Sequence, residues 1–307
     1  MKKLSVLFLA LVLCASVFAG CSSSSPGTGP VWKSQKDPDT ARHPMACVWG
    51  NSATDVFAVG DDGTIIHYDG NAWSKMSSGI TTDLIGVWGS SASDVFAVGD
   101  LGTILHYDGS AWSKMTGGIT DDIGSVWGTS PSDVFALTNS GIVLHYDGTT
   151  WSSMTGSATY SFTGIWGSSP TDVFAVGEEG AILHFDGTAW NSIPDTTTDS
   201  FTGVWGSSAS DVFAVGLYGT AMHYDGNVWS SLTGIASSNI NFLGVWGSSP
   251  SNVYIVGSAG TIMHYDGTTW RGMASGTSGA IGSVWGSSPA DVFAVGNNGL
   301  ILHYSQP

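Results

Sequence analysis

A Val/Ile-Trp-Gly tripeptide returns along this chain with its tryptophan at Trp49, Trp88, Trp127, Trp166, Trp205, Trp246 and Trp285. The spacings are 39, 39, 39, 39, 41 and 39 residues. A fixed period constrains the fold more than any composition does, because each repeat must be one supersecondary unit that buries its apolar face against its neighbours. Helical repeats of similar length need an apolar period of 3.6, which is absent. Four short strands per unit of about forty residues point to a β-propeller of seven blades.

The second unit serves as template. Its strands are expected at Gly86–Ser90, Asp94–Gly99, Thr103–Tyr107 and Ala111–Met115, joined by Ser-Ala-Ser-Asp, Gly-Asp-Leu-Gly and Asp-Gly-Ser turns rich in residues that tolerate positive φ or form Asx-turns. Val95-Phe96-Ala97-Val98 is apolar on both faces, so its sheet must be covered on both sides, which stacking between two other blades achieves. With 43 Gly, 14 Trp and 10% charged residues in 307, the chain reads as one large all-β domain.

The seventh unit lacks a fourth strand after Tyr304, and Val31-Trp32-Lys33 matches Ala72-Trp73-Ser74. Trp32 precedes Trp49 by 17 residues, as Trp229 precedes Trp246. An N-terminal strand is therefore expected to close the last blade, which also removes an exposed sheet edge. The propeller domain is read as 31–307.

The segment before it is of another kind. Lys2 and Lys3 precede an uncharged apolar run from Leu4 to Ala19, the layout of a secretory signal, here assigned to 1–20. Residues 21–30, Cys21 and then Ser22 to Pro30, read as a flexible tether whose nine linker residues reach on the order of 15–18 Å. Of Cys14, Cys21 and Cys47, the first leaves with the signal, so no structural disulfide is expected; Cys47 reads as a small buried filler.

Three resemblances are carried by particular residues. Val17-Phe18-Ala19-Gly20-Cys21 resembles the lipobox of bacterial lipoproteins, with Phe18 in place of the usual Leu. That resemblance implies cleavage before Cys21, lipidation of its sulfur and, since Ser22 rather than Asp follows, delivery to the outer membrane. The core Asp-Val-Phe-Ala-Val-Gly-x-x-Gly-Thr-Ile-Leu-His-Tyr-Asp-Gly-x-x-Trp, complete from Asp94 to Trp112, resembles the repeats of bacterial β-propeller lipoproteins and is similar to tectonin and kelch repeats. Asp147-Gly148-Thr149-Thr150-Trp151 is similar to the Asp-box turn of sialidase-type propellers, with shorter spacing and no leading Ser.

Residues that recur in every blade are expected to be structural. His67, His106, His145, His184, His223, His264 and His303 stand in different blades and cannot share one metal ion. They are expected to hydrogen-bond the following Asp or a nearby Trp. Asp55, Asp94, Asp133, Asp172, Asp211 and Asp291, with Asn252 in the sixth blade, are read as Asx-turn caps, and the tryptophans as inter-blade core. No role is assigned to His43.

Function is sought where the repeats differ: the tips between second and third strands and the linkers entering the next blade, on one face. Of 24 acidic residues, 12 lie outside the repeating frame and all fall here: Asp37, Asp39, Asp61, Asp62, Asp83, Asp100, Asp121, Asp122, Glu178, Glu179, Asp195 and Asp199. Lys33, Lys36, Lys75, Lys114 and Arg271 belong to outer strands, leaving Arg42. Loss of Lys2 and Lys3 would move the net charge from −16 to −18. An acidic face disfavours nucleic acid and anionic lipid and suits a basic partner or a divalent cation such as calcium.

The chain lacks a nucleophile elbow, a His-Glu-x-x-His motif and a phosphate loop, so no catalytic, cofactor or metal residues are assigned. The reading is a monomeric, non-catalytic binding or scaffold propeller, lipid-anchored in the bacterial envelope, that takes a protein partner on Asp61, Asp62, Asp100, Asp121, Asp122, Glu178 and Glu179, with Tyr160 and Tyr218 as aromatic anchors. The alternatives are a lectin-like glycan binder and, behind it, a glycosidase using Asp121 and Glu178.

Overall fold

The computed structural model describes residues 31–35, 43–154, 160–194, 197–235 and 239–305. The signal segment, Cys21 and the tether, with Lys36, Asp37, Asp39, Arg42 and Asp195, lie outside them. The described residues form seven four-stranded antiparallel sheets, the blades of a β-propeller. In the template blade the strands are Leu84–Ser91, Asp94–Gly99, Thr103–Tyr107 and Trp112–Lys114. The middle two match the expected bounds. The inner strand is longer because a register shift between Leu84 and Gly86 admits an extra residue without ending the ladder.

Burial explains why the Val-Phe-Ala-Val run carries no polar residue. Val95, Phe96, Ala97 and Val98 are at most 1% exposed, since the second strand has other blades against both of its faces. Two contacts recur between successive blades. Phe57 of the first blade meets Tyr107 and Trp112 of the second with ring centroids 5.7 and 6.2 Å apart. Trp49 lies against Gly89, where an added Cβ would stand 2.6 Å from the indole. The same approach joins Trp88 to Gly128, Trp127 to Gly167, Trp166 to Gly206, Trp205 to Gly247, Trp246 to Gly286 and Trp285 to Gly50. The Trp-Gly pair is thus one device: the tryptophan of each blade occupies the space that the next blade's glycine leaves open.

The ring closes as expected. Val31–Gln35 pairs antiparallel with the strand Leu300–Ser305, with Val31 opposite Ser305 and Trp32 opposite Tyr304. Trp32 then meets Tyr254 of the sixth blade edge-on at 6.3 Å, the role Trp112 plays in the second. Gln35 sits where other outer strands carry Met76 or Met154. Its Oε1 accepts from Trp73 Nε1 of the first blade at 2.6 Å, and its amide lies 3.1 Å from His303 Nδ1. The corresponding indole nitrogens of Trp32, Trp112, Trp151, Trp190 and Trp229 are buried with no partner in the structure. Among the described residues, the seam between first and last blades is where an outer-strand tryptophan has its N–H satisfied by a side chain.

Cys47 is half-buried rather than buried. Its Sγ lies 3.9 Å from the Val87 carbonyl and 3.7 Å from Ser283 Oγ, on the inner strands of the adjoining blades. Desolvation raises its thiol pKa, although hydrogen bonds from its surroundings oppose this, so it is no activated nucleophile.

Candidate functional site

The repeating histidines are structural, with a different partner from the one expected. His106 Nε2 lies 2.7 Å from Asp94 Oδ1, the carboxylate that opens the second strand, and the same pair recurs as His67–Asp55, His145–Asp133, His184–Asp172, His223–Asp211 and His303–Asp291. Strand pairing explains it: Phe96 faces His106 across the ladder, which brings the imidazole diagonally over Asp94. A carboxylate only accepts, so Nε2 carries the proton. In five blades the other carboxylate oxygen accepts from a serine or threonine hydroxyl four residues earlier, as from Ser90 at Asp94; in the first blade Asn51 stands there and Asp55 Oδ2 is buried with no partner. In the sixth blade Asn252 keeps the geometry, with Oδ1 toward His264 and its amide donating to Ser248. Hydroxyl and imidazole both point at the carboxylate and not at each other, so the histidine has no serine to activate and the cluster is no hydrolytic triad.

The Asx-turns expected at these aspartates belong instead to the other series. Asp108 Oδ1 accepts the backbone N–H groups of Ser110 and Ala111 and the Ser110 hydroxyl, and Asp69, Asp147, Asp186, Asp225 and Asp266 are held alike by backbone donors. The reason is position: Asp108 follows the third strand with free N–H groups two and three residues ahead, whereas Asp94 already faces a histidine. These donors lower the carboxyl pKa of Asp108 and Asp147 to about 2.

The opposite face carries the tips. In six blades the tip is one 3-10 turn, such as Asp100–Gly102, ending on a glycine. In four blades the residue just before the inner strand ties two blades together. The Asp83 carbonyl accepts from Asp100 N–H of its own blade, and its carboxylate accepts from Asp62 N–H of the blade before. Asp122 does the same for Asn139 and Leu101, Ser200 for Leu217 and Glu179, and Asn241 for Ser258 and Tyr218. A polar acceptor directly ahead of these four inner strands was the signal in the sequence, hidden because Asp, Ser and Asn share the role and Pro44 and Ala280 stand there in the first and seventh blades. Asp83 and Asp122 are thus stitches as well as charges.

The predicted residues distribute unevenly. Asp61, Asp62, Asp83, Asp100, Asp121 and Asp122 fall together over the first three blades. Burial raises the Asp100 pKa, and the charges of Asp122, Asp83 and Asp61 raise it further; Asp61 is raised by burial and then by Asp83 and Asp62, with His43 opposing. His43, assigned nothing from the sequence, lies 3.2 Å from Asp62 Oδ2. Glu178 and Glu179 form the fourth tip and Leu217 and Tyr218 the fifth, while Tyr160 precedes the fourth inner strand, Phe162–Ser169. Asp121 Oδ2 accepts from Ser140 N–H of the third blade. Burial opposes, but hydrogen bonds from Ser140 and Thr138 hold its pKa low, the wrong direction for a glycosidase acid. Among the described residues no three His, Cys, Asp or Glu side chains converge as metal ligands do.

No protein-family model matches the sequence, and no curated protein does. Solved structures do match. YCF48 bound to a D1 peptide superposes with a TM-score of 0.75 at 17% identity, over 92% of this chain and 100% of that one. YCF48 from Cyanidioschyzon merolae gives 0.73 at 14%, over 90% and 99%, and the WD40 β-propeller domain of Doa1 gives 0.76 at 13%, over 92% and 98%. At such identities the likeness is one of architecture: this chain is similar to propellers of the YCF48 and WD40 kind in fold.

Proposed function

We propose that this protein is a non-catalytic docking propeller, tethered to a membrane through lipid on Cys21, whose tip face takes a protein segment carrying basic residues. The observation that carries this reading is the group of carboxylates over the first three blades, where Asp61 and Asp100 are raised by burial and by neighbouring acids, with His43 opposing at Asp61 alone. A basic side chain placed there would relieve a repulsion already present, and desolvation on docking would strengthen the attraction. A solved propeller of the same architecture binds a peptide, which agrees with this use of the fold.

Strand direction adds an orientation. Val31 lies opposite Ser305, at the Asp-Gly-turn end of its blade. A tether leading back from Val31 to Cys21 would leave from that face, directing the acidic tips away from the bilayer. The test is capture of a partner from envelope extract by the mature protein. Binding should weaken with salt and be lost in D61N/D62N/D100N; a partner held equally by that variant would overturn the reading. Labelling with palmitate, lost in C21S, checks the anchor.

Tyr218 is 61% exposed and Tyr160 36% exposed on the same face, which favours glycan stacking as the second reading. Glycan-array binding lost in Y218A but insensitive to D61N/D62N/D100N would select it.

A further inference from the structure

The second residue of each six-blade tip stands in the left-handed region: Asp62, Leu101, Glu179, Tyr218, Ala259 and Asn298, with φ between 54° and 58°. Among the described residues these are all the non-glycine residues at positive φ. That backbone is easy for glycine, tolerable for Asn and Asp, and disfavoured for Leu, Tyr and Glu. Seventeen of the described glycines do occupy positive φ, yet none stands at this position in these six blades. At four of the six the backbone is also tied down, since the N–H groups of Asp62, Leu101, Glu179 and Tyr218 are each held by the next linker's side chain.

These positions combine a repeated backbone with an unrepeated side chain. Asp62 has 70% of its side chain exposed, Leu101 is 67% exposed and Tyr218 61%. Side chains that project this far bury little of the domain, while their backbone conformation opposes them. Strained positions that the rest of a structure holds in place are where function concentrates. Beside Leu101 runs an open groove of about 620 Å³ lined by Lys114, Met115 and Ile119, and a smaller one of about 270 Å³ lies in the same place beside Asp62.

We infer that these six tip residues form the specificity-determining ring for a polypeptide partner. Leu101 and Tyr218 receive apolar side chains, and Asp62 and Glu179 receive basic ones. The inference rests on the tip face being the docking face and adds which residues choose the occupant. That occupant is an extended segment mixing Lys or Arg with Leu or Phe, because the carboxylates around Leu101 demand positive charge and the groove beside it offers apolar cover.

The experiment uses three fluorescein-labelled twelve-residue peptides: one alternating Arg with Leu and Phe, one with Gly in place of the apolar residues, and one with Glu in place of Arg. Fluorescence anisotropy is read against wild type, L101G, Y218G and D61N/D100N. The mixed peptide should bind at least tenfold more tightly than the Gly peptide, and the Glu peptide should not bind. L101G and Y218G should lose tenfold for the mixed peptide while keeping or raising the melting temperature, a pairing that a structural role would not produce. If L101G and Y218G bind as wild type while D61N/D100N does not, the ring is overturned and the docking face stands. If wild type binds none of the peptides, or D61N/D100N binds as wild type, both are overturned.

Discussion

Gly89→Ala tests the contact on which the blade stack depends. Gly89 has ordinary extended backbone, so by chain entropy alone an alanine should stabilise by about 0.4–1 kcal/mol. The structure reverses that sign. The new methyl would stand 2.6 and 2.8 Å from the Trp49 ring and 2.8 Å from the Asp94 carbonyl oxygen. The carbonyl belongs to the ladder of the same blade, and the indole is stacked on Phe57 with centroids 6.2 Å apart, so neither yields freely. Overpacking of this kind costs about 1–3 kcal/mol, leaving a net loss of up to about 2.6 kcal/mol and a melting point lower by up to about 10 °C. Thermal unfolding followed by circular dichroism measures it. The same substitution on a Trp49→Leu background, where the indole is gone and only the Asp94 carbonyl remains close, should carry a clearly smaller penalty. A melting point at or above wild type for Gly89→Ala alone, or an equal penalty on both backgrounds, would refute the reasoning.

Other outcomes follow from the seam and the charges. Removing Val31–Gln35 uncovers the strand Leu300–Ser305 and takes Trp32 from Tyr254, so the melting point should fall sharply and the chain should self-associate in sedimentation; an unchanged monomer with an unchanged melting curve would exclude closure by this strand. Gln35→Met leaves Trp73 Nε1 without an acceptor, which costs about 1–3 kcal/mol, whereas Met76→Gln in the first blade should not lower stability by more than that. Asp108 and Asp147 have lowered folded-state pKa values, so their stabilisation is present above the unfolded carboxyl range near 3.8 and is lost as pH falls through about 2; Asp61 and Asp100 are raised, so stability should climb as pH drops toward 4, and Asp100→Asn should melt higher than wild type at pH 7. His264, facing Asn252, has its pKa lowered by burial against the pull of Asp266. Asn252→Asp should raise it in an NMR titration, and an unmoved curve would show that the facing carboxylate is not what the histidines respond to.

The sequence by itself determined the architecture. A tryptophan every 39 residues, a four-residue apolar run and a displaced fourth strand at Trp32 leave one way to bury seven equal units, and the second and third strands fall where the turns predict. It also separated frame from variation, which is why the tip residues were legible as the place to look. Tertiary structure decided the partners. From spacing alone the histidines had no visible link to the aspartates twelve residues earlier, because only ladder register brings Phe96 opposite His106 and so His106 over Asp94. Nor could spacing show that Asp83 and Asp122 hold the tips of preceding blades, that Gln35 answers Trp73 across the seam, or that Leu101 and Tyr218 sit on left-handed backbone. A period records which positions are equivalent between blades; which atoms meet depends on how one blade is laid against the next, and that is set by packing.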